Sequence, residues 1–214
     1  MDLIRAISRH SPKPLALVLS LWAGSSLAAS LSDSLMQCQP AFFKDLYQQR
    51  AELGRVVALK HDDQQGIAWI PVPDRHDNAT STATFSRPLQ DKGLKLTGYY
   101  DSVFDLGSEG IYYFWGLEID ASREAVMAAM PQAGWQEAGE YFISRPQIKP
   151  SAQAPWQDNP AAVSEIAPAP GSAEKILMLS VEGGKTRMLC SLQGSVDATL
   201  LRQERPDMAQ GAAQ

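Results

Sequence analysis

Hydrophobic positions along this chain change their spacing several times, and each change predicts an element. Over PAFFKDLYQQRAELG (40–54), Phe42, Phe43, Leu46, Tyr47 and Leu53 recur near every 3.6 residues. Pro40 suits the first turn of a helix there and Gly54 its end. The period then shortens to two. RVVALK (55–60) and GIAWIPV (66–72) are expected strands, the second running into Pro71 and Pro73 as an edge. In ATSTATFS (79–86), Thr80, Thr82 and Thr84 alternate with Ser81, Ala83 and Phe85, which predicts a polar, half-exposed strand.

LKLTGYYDSVFDL, GSEG and IYYFWGLEID (94–120) read as a β-hairpin, followed by a helix over SREAVMAAM (122–130) capped by Asp120 or Ser122 and closed by Pro131. GEYFISRPQI (139–148) is a further strand, and EKILMLSVEGGKTRMLCSLQG (174–194) a hairpin turning at Gly183–Gly184. Helix, strands, hairpin, helix and strands lack the regular alternation of a parallel βαβ fold. The expected class is α+β: a mainly antiparallel sheet, an N-terminal helix and one helix after the central hairpin, in a single disulfide-stapled domain.

The ends and one internal stretch break the pattern. Arg5, Arg9 and Lys13, then PLALVLSLWAG and SSLAAS, have the layout of a cleavable signal peptide over 1–29, cut after Ala28 or Ala29. Its apolar run is too short to span a bilayer at about 20 residues per helix. Gln37 before Cys38 and the polar spacer ahead of it do not fit a lipidation site. The domain is expected over 30–202. Six prolines between 146 and 171, set among Ala, Gln and Ser, predict a loop or flexible insertion, and the polar 203–214 a disordered tail.

Charge narrows the partners. The net charge is −5, and removing the signal's three cations and one acid leaves −7 (−5 less +2). Such acidity argues against nucleic acid and against docking on anionic membranes. After signal cleavage no membrane insertion is expected, the location is periplasmic or secreted, and the partner is another protein. The two cysteines, Cys38 and Cys190, are expected to form one disulfide in an oxidising compartment, tying the start of the mature chain to its last strand.

Little catalytic chemistry is legible. GGKT (183–186) lacks the earlier glycine of a phosphate-binding loop, with Leu179 in its place, so it reads as a turn. His61 and His76 lie among acids without metal-ligand spacing, and no nucleophile motif is present. No cofactor, metal or catalytic residue is assigned.

The hairpin carries the one candidate surface. If Gly107 pairs with Gly110, Ile111, Tyr113, Trp115, Leu117 and Ile119 share a core face covered by 122–130. The opposite face then groups Tyr112, Phe114 and Glu118 with Tyr99, Asp101 and Asp105, and Gly116 leaves a gap beside Asp101. Aromatic rings beside carboxylates suit a sugar or a basic protein loop. The expectation is an exported, non-enzymatic protein-binding module, such as an inhibitor or toxin-neutralising protein. The alternatives are a glycan- or cell-wall-directed hydrolase using Asp101, Asp105 or Glu118, and an envelope structural or stress component.

Overall fold

The computed structural model describes residues 30–164 and 166–210; the expected signal peptide over 1–29 lies outside them. Eight strands form one sheet, in the order β3 (Thr82–Asp91), β4 (Leu94–Asp105), β5 (Ile111–Ile119), β10 (Lys185–Gly194), β9 (Ala173–Glu182), β7 (Tyr141–Lys149), β6 (Gln136–Ala138), with β8 (Gln157–Asp158) beside β7. Every pairing is antiparallel. A separate ribbon joins β1 (Lys60–Asp62) to β2 (Ile67–Trp69). The α+β class therefore holds. β3 lies at the sheet edge, consistent with its threonines and with Pro88, which has no N–H to give a neighbour.

Helices α1 (Leu31–Leu35), α2 (Ala41–Gln48) and α3 (Arg50–Leu53) precede the sheet. Leu35, Phe42, Phe43 and Leu46 are fully buried against Tyr99, Trp115, Leu117 and Cys190, and the Phe42 ring stacks on Tyr99 at 6.4 Å. Val126 of α4 (Arg123–Ala129) and Met130 complete this core, and Ser122 caps α4 by accepting from the Ala125 N–H at 3.2 Å. The disulfide joins Cys38, between α1 and α2, to Cys190 in the middle of β10 across 152 residues. It fastens the N-terminal helices to the centre of the sheet.

Three expectations change. Val56 and Val57 do not extend a strand: the chain turns after α3, and only Lys60 of RVVALK enters β1. The proline-rich segment is structured in part. Pro146 stays within β7 at a bulge where Arg145 has φ 50°, β8 pairs with β7, and a short helical turn spans Pro160–Ser164. The tail is ordered well past residue 203. α5 (Ala198–Glu204) runs into a turn over Pro206–Gln210, and Arg205 and Asp207 are buried, held by ion pairs that a polarity count does not reveal.

Candidate functional site

The central hairpin pairs one residue out of the expected register. Its loop holds five residues, 106–110, and closes with the Leu106 N–H donating to the Gly110 carbonyl at 2.9 Å. Gly107 and Gly110 both take positive φ, and a Cβ on Gly110 would lie 2.2 Å from the Gly194 carbonyl. Asp105 thus faces Ile111, Asp101 faces Trp115, and Tyr99 faces Leu117. Side chains alternate with period two, so a slip of one exchanges the faces of a strand. The six candidate residues divide accordingly. Tyr99, Asp101 and Asp105 share the helix-covered face with Trp115, while Tyr112, Phe114 and Glu118 stand on the other.

On the covered face Asp101 is fully buried. Its Oδ2 accepts from Arg75 Nε at 2.8 Å and from Arg205 Nη2 at 2.9 Å, and Arg205 also pairs with Asp207 at 2.8 Å. The Arg205 guanidinium lies 4.7 Å from the Trp115 ring centre. Burial pushes the Asp101 carboxyl up against the pull of Arg205 and Arg75, and raises the Tyr99 phenol well above its usual range, helped by Asp101. Burial works against the Arg205 charge, yet Asp101 and Asp207 hold its proton above the usual arginine value. Three buried charges, Asp101, Arg205 and Asp207, with the half-buried Arg75 bonded to them, join the C-terminal segment to the sheet, which is the work of structure. Asp105 is exposed at the strand end, where its carboxylate accepts from the Gly107 N–H at 2.9 Å. Glu118, 1 % exposed, sits on the opposite face from Asp101, paired with Arg187 and Lys185 at 2.9 Å each. The three candidate carboxylates do not converge.

The face away from the helices carries the site. A cleft of about 470 Å³ runs over it, floored by Phe104, Tyr112, Phe114, Leu189, Ile176, Met178 and Ile143. Phe114 meets Phe104 edge-on at 5.9 Å and Tyr112 at 6.4 Å, so the rings form one contiguous patch. The proline-rich segment roofs one side: Ala162 is buried with Ala138, Ile143 and Ile176, while Ile166 is 75 % exposed at the rim. Gly116 opens no gap beside Asp101. It lies against β10, where a Cβ would meet the Met188 carbonyl oxygen at 2.0 Å.

The polar groups sit at the two ends of this trough. At one end Arg187 pairs with Glu118 and Glu182 and lies 4.1 Å over the Tyr100 ring. At the other, Glu174 is 2 % exposed and accepts from the side-chain amides of Asn159 and Gln193. Burial raises its carboxyl above the ordinary value, against those two hydrogen bonds. Glu182 lies eight positions beyond Glu174 along β9, so the trough extends about 26 Å at ~3.3 Å per residue. Three glutamates, 109, 174 and 182, line it; Arg187 pairs with Glu182 at its end, and neither Glu109 nor Glu174 has a lysine or arginine among the described lining residues.

Sequence reading placed Tyr112 and Phe114 at this surface and missed Glu174, Ile176, Met178, Leu189 and Ile143. The signal for them was ILML (176–179) in β9: consecutive apolar residues give a strand apolar on both faces, so one sheet face was bound to stay apolar beyond the helices. His61, in β1, and His76, in a loop, are exposed and away from this trough. Among the described residues no His, Cys, Asp and Glu group has the arrangement of a metal site. No family model, curated protein or solved structure matches this chain, so its function has to be read from its own residues.

Proposed function

We propose that this chain is an exported, non-enzymatic binding protein whose partner is an apolar segment of another protein, bearing lysine or arginine, laid along the trough. The carrying observation is the contiguous aromatic and aliphatic floor left open on one face of a sheet whose other face is packed. Concave, mostly apolar clefts with a few placed polar groups are the usual form of a binding site. The lining carboxylates favour a cationic occupant and disfavour an acidic one, and a length of about 26 Å suits roughly eight extended residues. An inhibitor or neutralising protein that captures a basic segment of its target fits this geometry.

The test is calorimetric titration of residues 30–214 with capped apolar peptides of about eight residues carrying one lysine. Saturable binding is expected, abolished by Phe114→Asp in the trough and unaffected by Lys44→Ala on the exposed side of α2. No saturable binding, or equal binding by the Phe114→Asp variant, would overturn the proposal.

A further inference from the structure

Five carboxylates among the described residues are buried: Asp101, Glu118, Glu174, Glu204 and Asp207. Four have a cation at ion-pairing distance. Asp101 and Asp207 share Arg205 and Arg75, Glu118 has Arg187 and Lys185, and Glu204 has Lys175 at 2.9 Å. Glu174 has amides instead. Asn159 and Gln193 each donate to one of its oxygens, which fixes the carboxylate but leaves its charge unbalanced. A buried charge is ordinarily paired, because desolvation otherwise favours the neutral form. Glu174 is also the member of the five that lines the trough among its apolar floor residues. Tyr112 is beside it: burial, then Glu109, then Glu174 raise that phenol, so both acids act on the one ring. A ring face and a fixed carboxylate, rimmed by a second acid, make a receptor for an organic cation.

We infer that Glu174, with the Tyr112 ring and Glu109, is the anchoring subsite for a single lysine ammonium group of the segment that occupies the trough. This rests on the trough being the binding site. The occupant's lysine supplies the counter-charge that the fold gives each of its other buried acids. Its aliphatic stem continues the apolar contact over Tyr112 and Ile176, so the anchor fixes the direction in which the segment lies.

The experiment uses capped apolar peptides of about eight residues with lysine at one end, and the same peptides with norleucine or acetyl-lysine there. Wild-type protein is expected to bind the lysine peptide about tenfold more tightly than either neutral one. In Glu174→Gln that preference disappears while norleucine-peptide affinity is kept. Equal wild-type affinity for lysine and norleucine peptides overturns the anchor and leaves the trough standing; no binding of any peptide overturns both. A lysine preference that persists in Glu174→Gln also refutes the assignment. The wild-type comparison decides without a variant if Glu174→Gln does not fold.

Discussion

Glu174 should reveal itself through its titration before any partner is found. Its carboxyl is raised from the ordinary value near 4.5, so the folded chain holds this proton more tightly than the unfolded chain does. The folded state then binds more protons across the window between the two values, and stability falls as pH rises through it. Acidification from neutral pH towards 4.5 should therefore stabilise wild type relative to Glu174→Gln, whose amide does not titrate. Denaturant midpoints measured for both proteins over that range check the sign; parallel curves would remove the buried charge from the account. Composition counted Glu174 as one acid among twenty-four. Its distinction is its surroundings, which depend on how Asn159 and Gln193 come to it from two other parts of the chain.

Among the elements, the C-terminal turn departs most from what its polarity predicts. RQERPDMAQ (202–210) is rich in charge, and sequence cannot say that three of those charges, Glu204, Arg205 and Asp207, will be buried against Lys175, Asp101 and Arg75, 29, 104 and 132 residues away. Removing Arg205 leaves Asp101 and Asp207 buried beside Arg75 alone. Breaking a buried ion pair costs about 3–5 kcal/mol, so Arg205→Ala should lower Tm by on the order of 10 °C. An exposed control, Arg202→Ala, should move it little. The central hairpin gives the converse lesson. Its strands, their alternation and its glycines were legible in the sequence, and the class of fold followed from them. The loop length was not: five residues in place of four moved Tyr99, Asp101 and Asp105 to the face of Trp115. A turn is set by a few backbone angles and one hydrogen bond, so a small local choice redistributed half of the expected surface. Tyr112 and Phe114 kept their place because their strand defines the open face.

For the molecule as a whole, the disulfide and the ion cluster act on the same problem. Helices α1 and α2 bury their apolar side against a sheet whose central strand is near the far end of the chain. Closing so long a loop costs chain entropy, and Cys38–Cys190 removes that cost from the unfolded state. The Cys38→Ala, Cys190→Ala variant should lose about 2–5 kcal/mol, read from urea midpoints without reductant. Adding reductant should affect wild type and leave the variant unmoved. The joining of Cys38 to Cys190 also limits when the fold can close. Phe42, Phe43 and Leu46 are among the first described residues to be made, and β2, β4 and β5 supply part of their cover, but Cys190 on the central strand β10 and the buried Arg205 come much later. A growing chain can therefore gather its helices on β4 and β5, but it can neither fill the centre of the sheet nor close the disulfide until residue 190 is made, and until then that half-built core stays open to chaperones and proteases.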